Sequence, residues 1–377
     1  MAKQKITDEQ FLQERASGLT LREIAEKYDM HIRSVEERSV KIAKKGVGHG
    51  NGDKAKAYVP DGYMVKGTST YVSKSGDVSQ WIKTEVDKER QEALLQAAVE
   101  AFASDIEKSE PNLCSPLTDS ETLCLYPIFD MHIGALAHKH ESGENYSTDI
   151  AERVMNQFFD YSVDVAPSAE RAVLLIGGDM LHSDGLEAVT PASGHSLDQD
   201  SRYAKLVHVA IRATRRAIDK MLQKHQTVEI HIIEGNHDQS GMIWLRAAMA
   251  MHYEKETRVI VDVSPRIIHH TQWGKTFLAY HHGHTIRKPE ALLMACAADW
   301  RQDFGKSDYV YAHVGHWHHQ TVTEAAIGIV EVHGTMAAKD AYAARGGWRS
   351  QRRAAVVIYS KEFGEVGRFT FRPEMFK

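Results

Sequence analysis

Five apolar runs of strand length recur between residues 122 and 318, and each ends in a short polar motif. "TLCLYPIF" leads into Asp130-Met131-His132, and "AVLLIGG" into Asp179. "TVEIHIIEG" leads into Asn236-His237-Asp238, "TFLAYHHG" carries His282-Gly283-His284, and "YVYAHVGH" opens Gly315-His316-Trp317-His318. Short apolar runs bounded by glycine and polar residues read as strands. A helical stretch over 201–225 separates the second run from the third. The later segments "IGIVEVHG", "AAVVIYS" and "VGRFTFRP" suggest a further antiparallel part. The alternation predicts a mixed α/β domain over residues 119–377.

The polar motifs carry Asp, Asn and His, side chains that hold divalent transition metals. They supply enough ligands for two ions. A paired-metal site is suited to splitting phosphate esters, because one ion activates water while both clamp phosphoryl oxygens. Along an extended chain, positions i and i+2 share a side. Asp130 with His132, and His316 with His318, are therefore expected to face an ion beyond their strand ends, with Trp317 pointing away. Asp179 follows two glycines that allow close backbone approach, and its carboxylate has two oxygens with which to bridge two cations. Asn236 offers a neutral carbonyl oxygen, and His282 follows the fourth run. Any one motif alone fits a cap or a turn, but five in order do not. His281, His284, His313 and His319 flank these ligands as candidate substrate contacts, and Cys296 reads as helix core.

Composition narrows the alternatives. A chain of 377 residues with 42% hydrophobic residues can bury a large core and divides into two or three units. A net charge of -5 excludes coating nucleic acid by bulk positive charge. The 22 histidines exceed what packing or charge requires. Three cysteines without a CxxC pair read as reduced thiols, which suggests a cytoplasmic protein. The N-terminus has no apolar signal-like segment, and no apolar run is long enough to span a bilayer.

Residues 1–46 read as a small all-α unit. Thr7 caps a first helix through Phe11 and Leu12. Thr20 and Glu23 form a capping box on a second helix, and a third begins at Ile32. The stretch resembles a helix-turn-helix of the kind found in sigma-factor and resolvase tails, with Asp29 where many members have Gly. The third helix would present Arg33, Arg38 and Lys41 to nucleic acid; a protein adaptor is the other reading. Residues 47–118 follow as a spacer. It comprises a Gly-rich linker (46–56 in all), a β-hairpin turning at residues 74–77 and a helix over 87–108.

The order D-x-H, G-D, G-N-H-D, H-G-H, G-H-x-H, over roughly residues 122–335, resembles the calcineurin-like metallophosphoesterase superfamily. That family includes protein phosphatases, cyclic-nucleotide phosphodiesterases and double-strand-break repair nucleases. The resemblance implies two mixed β-sheets packed face to face with helices outside. It implies that Asp130, His132, Asp179 and His318 hold one metal, and Asp179, Asn236, His282 and His316 the other. His237 would be the catalytic histidine, oriented by Asp238. The second motif departs from the family pattern, reading "GGDMLHSDG" with His182 and Asp184 nearby.

The layout also resembles phage-encoded, exonuclease-like phosphoesterases. The leading expectation is a nuclease hydrolysing DNA or RNA with two divalent ions, Mn first, with Fe, Zn or Ni also compatible. A phosphatase acting on phosphoprotein or small phosphomonoesters is the alternative. A DNA-binding regulator with an inactive phosphoesterase domain is the third. The insertion 183–205, with Arg202 and Lys205, could gate substrate. Arg345, Arg349, Arg352 and Arg353 could line a strand-binding surface, or a solvated loop. Related nucleases often form homodimers, but no heptad compels one here.

Overall fold

The computed structural model describes residues 6–44, 63–72, 78–86, 117–191, 194–339, 344, 346–347 and 349–376. The expected linker over 46–56, hairpin turn over 74–77 and helix over 87–108 lie outside them. The chain divides into two compact units, Met1–Ala97 and Ala98–Lys377.

In the first unit, α1 (Asp8–Ala16), α2 (Leu21–Lys27) and α3 (Ile32–Lys44) start where the sequence supplies caps. Thr7 and Gln10 close one capping box, and Thr20 and Glu23 another. Phe11, Ile24, Ala25, Val35 and Ile42 bury a small core. Asp29, which stands where glycine is common, has φ 47° in the turn before α3. Asp tolerates that left-handed conformation better than most residues. The strands β1 (Tyr63–Val72) and β2 (Val78–Val86) pair antiparallel.

The second unit is a two-sheet α/β sandwich flanked by helices. Its elements run β3 (Asp119–Ile128), α4 (Lys139–Ser142), α5 (Thr148–Val165), β4 (Ala169–Ile176), α6 (Tyr203–Leu222), β5 (Thr227–Ile232), α7 (Gln239–His252), β6 (Val259–Val261), β7 (His269–Trp273) and β8 (Thr276–Tyr280). Then follow α8 (Pro289–Asp299), α9 (Arg301–Lys306), β9 (Tyr309–Val314), β10 (Thr321–Ala325), β11 (Gly328–Val332), β12 (Ala354–Ser360) and β13 (Gly364–Phe371). One sheet has the order β13-β12-β3-β4-β5-β6, and the other β10-β11-β9-β8-β7. Strands β3 to β6 are mutually parallel, and so are β8, β9 and β11. The expected antiparallel C-terminal part holds for β12 with β13 and for β10 with β11, but β11 joins β9 in parallel.

Period-2 alternation explains the layers. Leu123, Leu125, Val173, Leu175, Val357 and Tyr359 of the first sheet meet Trp273, Leu278 and Tyr280 of the second. Intervening positions face outward. Phe277 and Ala279 pack on Leu292, Leu293 and Cys296 of α8, and Tyr126 packs on Phe159 of α5. Both faces of these strands are covered, which is why they read as continuous apolar runs. Among the described residues no helix is long and apolar enough to cross a membrane.

The sheets are also joined by charge. Arg368 on β13 binds the buried Glu331 carboxylate on β11 at 2.7 and 2.9 Å. Burial alone would raise the Glu331 pKa, but His333 and Arg368 hold it far below the usual carboxylate range. A depressed carboxyl contributes stability that is present above its unfolded pKa and lost as pH falls toward its folded one. Glu331→Gln should therefore cost about 3–5 kcal/mol at pH 7. The difference from wild type in urea midpoint should narrow as pH drops from 6 to 3; a constant difference would remove this pair as the cause. Leu278→Ala should cost about 2–5 kcal/mol by urea unfolding, and a loss well below 1 kcal/mol would contradict its place between the sheets.

Candidate metal centre

The five motifs lie at the carboxyl ends of parallel strands. Asp130 follows β3, Asp179 follows β4, Asn236 follows β5, His282 follows β8, and His316 and His318 follow β9. Carboxyl ends of parallel strands are where open α/β sheets place ligands. Six non-glycine residues among those described have left-handed φ, and five are candidate ligands. They are Asp130 (54°), His132 (44°), Asp179 (50°), His316 (75°) and His318 (55°). The expectation of extended chain through D-x-H and H-x-H is thus corrected. The side chains converge because the backbone turns sharply at each one.

Such conformations cost about 1–3 kcal/mol each and persist only where surroundings over-determine them. Here hydrogen bonds do so. Asp130 N–H donates to Gly178 O at 3.1 Å, and His132 N–H to Asp179 O at 2.9 Å. His316 N–H donates to the Asp130 carboxylate at 2.9 Å, and Thr335 Oγ1 donates to Asp130 O at 2.6 Å. Glycines give the room: a Cβ at Gly235 would lie 2.0 Å from Asp179 Oδ1, and one at Gly178 2.5 Å from the His282 ring.

Three groups of possible ligands meet here, Asp130–His132–His318, Asp179–His282–His316 and, sharing His132 with the first, His132–His182–His237. Within the first, His318 Nε2 lies 3.4 Å from Asp130 Oδ1 and 3.2 Å from His132 Nε2. Asp179 Oδ2 stands between the groups, 3.3 Å from His282 Nε2 and 4.0 Å from His132 Nε2. Asn236 Oδ1 is 3.2 Å from His282 Nε2. His282 Nδ1–H donates to Gly177 O at 2.9 Å, which fixes the ring with Nε2 toward Asp179 and leaves Nε2 as the atom that could bind an ion once its proton is displaced. Burial pushes His132 well below the usual histidine range and His316 down to about 4. Against burial, Asp179 raises His282 to about 10 and Asp130 raises His318, so these two rings hold protons that a bound ion would replace. Burial opposes ionisation of Asp179, but His282 outweighs it and holds the carboxyl well below the usual range. Facing imidazole nitrogens beside an ionised, buried carboxylate make a donor set that fits divalent transition metals.

His237 sits at the edge of this cluster, its N–H on Asp179 Oδ1 at 2.8 Å. The expectation that Asp238 orients its ring is corrected. Asp238 is fully buried and accepts from three backbone N–H groups, of Asp179 (3.1 Å), Leu181 (3.0 Å) and Gly235 (3.0 Å). Burial and the neighbouring Asp179 push its carboxyl up to about 8. It is a brace for two loops. The ring of His237 is instead held by His182 O, which accepts from Nδ1 at 2.8 Å. The His182 ring stacks on His237 and approaches His132, Nδ1 to Nδ1, at 3.4 Å. His182 belongs to the site, and the only signal for it was its place three residues after Asp179.

The other flanking residues separate. His281 is buried, accepting Gly283 N–H and paired with Thr285, and His313 is buried between Tyr359 and His333. Neither can contact substrate. His284 is half-buried beside His282 and His316, and His319 is exposed. In the insertion, Asp184 caps α7 through Ser240 and Gly241 N–H, and Lys205 pairs with Asp149. Arg352 pairs with Glu144, and Arg353 bonds Gln320; Arg345 lies outside the described residues. In the N-terminal unit, Arg33 is exposed and paired with Glu37. Arg38 turns inward to Ile6 O and Asp8, with its side chain 14% exposed, so it is not offered to a groove. Lys41 lies on α3, its side chain outside what is described.

No family model and no curated protein matches the chain. Among solved structures, similarity is found to a conserved phosphoesterase-like protein of Streptococcus pneumoniae, 11% identical, covering 68% of this chain and 100% of that one, TM-score 0.26. Zinc-complexed Vps29 of Entamoeba histolytica is 12% identical over 67% of this chain and 99% of its own, TM-score 0.27. The phosphopantetheinyl hydrolase of Mycobacterium tuberculosis is 11% identical over 58% and 91%, TM-score 0.27. Likenesses this remote assign no role; the site itself carries the functional reading.

Gly235→Ala should displace Asp179 and lower bound Mn²⁺ about 10–100-fold, the scale on which support of metal ligands acts, with circular dichroism unchanged. Metal content equal to wild type by elemental analysis would contradict the close approach.

Proposed function

We propose that this chain is a metal-dependent phosphoesterase of the calcineurin-like class, and that its substrate is a nucleic-acid phosphodiester. The observation that supports this reading is the meeting of two His/Asp groups at Asp179, on strand ends held in strained conformations. Asp130, His132, Asp179 and His318 would hold one divalent ion, and Asp179, Asn236, His282 and His316 the other. Ions so held would supply a water activated for attack on phosphorus and would neutralise charge on the phosphoryl oxygens.

The chain's own residues do the rest. His237 Nδ1–H is fixed on His182 O, so Nε2 is the nitrogen that protonates the leaving oxygen or bonds the phosphoryl group. Asp238 ties the loop after β4 to the loop after β5, which sets the distance between Asp179 and His237. The strained ligands are placed before substrate arrives, so little reorganisation accompanies the reaction. The nucleic-acid assignment rests on the small helical unit that precedes the domain, with Arg33 and Lys41 as its candidate contacts. The same centre would also serve a phosphatase.

The test is purified protein with Mn²⁺ on labelled single- and double-stranded DNA, on RNA, and on a chromogenic phosphomonoester. Nucleic-acid cleavage that vanishes in Asp179→Ala supports the reading, and hydrolysis of the monoester alone overturns the substrate assignment. His237→Ala should retain metal and lose about 10²–10⁴-fold in turnover; full activity would remove His237 from the chemistry.

A further inference from the structure

A second mixed cluster lies away from this centre, where β5 and β7 face each other across the sandwich. His231 and Glu229 share the inner face of β5, and His269 and Thr271 share that of β7. Asp262 follows β6 and reaches in between. Asp262 Oδ2 is 3.2 Å from His231 Nδ1 and 2.6 Å from His269 Nδ1. Both histidines are buried, and the Asp262 side chain is 26% exposed, which leaves one side open to solvent.

The hydrogen bonds fix which atoms are available. Glu229 Oε1 takes the Nε2–H of His231 at 2.7 Å. Glu229 is itself held by Thr271 Oγ1 at 2.7 Å and by Arg171 at 3.2 Å. A carboxylate on one imidazole nitrogen is the usual partner of a histidine that ligates through the other. His231 Nδ1 is buried without a hydrogen-bond partner, although it faces Asp262 Oδ2. Two donors sharing a tetrahedral zinc ion, each about 2.0–2.2 Å from it, lie about 3.3 Å apart, and the Nδ1–Oδ2 spacing of 3.2 Å matches that. The His269–Asp262 contact is a hydrogen bond as it stands and opens by about 0.7 Å to share an ion.

A comparison within the molecule sharpens the point. His313, Glu331 and His333 form a group just as close, and fully buried. There Arg368 occupies both Glu331 oxygens, the two histidines bond each other at 2.8 Å, and Tyr359 takes the remaining nitrogen of His313. That cluster is saturated, whereas in the β5–β7 cluster His231 Nδ1 meets only Asp262 Oδ2, at 3.2 Å and without a well-formed hydrogen bond.

We propose that His231, Asp262 and His269 form a separate site for one zinc-class divalent ion, oriented by Glu229 and completed by water on the Asp262 side, that ties β5 of one sheet to β7 of the other. Burial favours a neutral His231, but Asp262 and Glu229 outweigh it and raise its affinity for a proton. An ion replaces that proton and satisfies both carboxylates. The proposal is independent of the phosphoesterase reading.

The experiment uses the full chain carrying His132→Ala and Asp179→Ala, which takes a ligand from each His/Asp group of the main centre. After chelation, loading with Zn²⁺ and desalting, about one Zn²⁺ per chain should remain by elemental analysis, as expected for a three-ligand site with one open position. Adding Asp262→Asn should remove it, and adding Glu229→Gln should weaken Zn²⁺ affinity about 10–100-fold. The same protein loaded with Co²⁺ should show the visible absorption of a four-coordinate ion, a readout that needs no further variant. Zn²⁺ content unchanged by Asp262→Asn, no retained Zn²⁺, or a Co²⁺ spectrum identical to the aqueous ion would each overturn the site.

Discussion

The inner faces of the two sheets hold everything else in place. Leu125, Leu175 and Val357 on one side and Leu278 and Tyr280 on the other lock the register of β3, β4, β12 and β8. A one-residue slip in any of these strands would send its inner side chains outward. It would also move the residue at its carboxyl end by a full position. The candidate ligands stand within a few residues of those ends, so the apolar interleaving sets ligand positions that no local hydrogen bond could set alone. Interiors packed like this resist continuous deformation, which is what a site made from five separate strand ends requires.

Against that rigid frame the strand ends are locally unfavourable. Asp130, His132, Asp179, His316 and His318 all adopt left-handed backbone. The cost is offset by bonds that run between strand ends: Asp130 to Gly178, His132 to Asp179, and His316 to Asp130. Each loop therefore restrains its neighbour. The strained conformations are properties of the assembled sandwich, since a single strand end cut from it would relax.

Much of this was legible in the sequence. The apolar runs of β3, β4, β5, β8 and β9 announce strands, and Thr7 and Thr20 mark helix starts. The motif residues stand at the ends of those runs, so their convergence follows once the strands are parallel. What could not be read has a common physical cause. The extended geometry expected for Asp130-Met131-His132 fails because its φ values are fixed by partners from distant segments. Asp238 was given to the wrong partner because three distant N–H groups take its oxygens. His281 and His313 look like His282 and His316 in sequence, yet His313 is buried against Tyr359 between the sheets and His281 is tied to Thr285 and the Gly283 N–H. Arg38 reads as a surface cation, but the Ile6 carbonyl and Asp8 draw it inward. Contacts across long sequence separations, and backbone carbonyls above all, leave no local signature.

The way His237 is anchored has an evolutionary consequence. Its ring is fixed by the main-chain carbonyl of residue 182, and every amino acid supplies a carbonyl. Substitution at 182 therefore changes the surroundings of His237 without removing the carbonyl that holds its ring. If His237 acts as proposed, the side chain at 182, packed against His237 and near His132, is the one that borders the reacting group. Orientation set by the backbone and surroundings set by one adjacent side chain are thus separable, so the second can change in a single step while the first is kept.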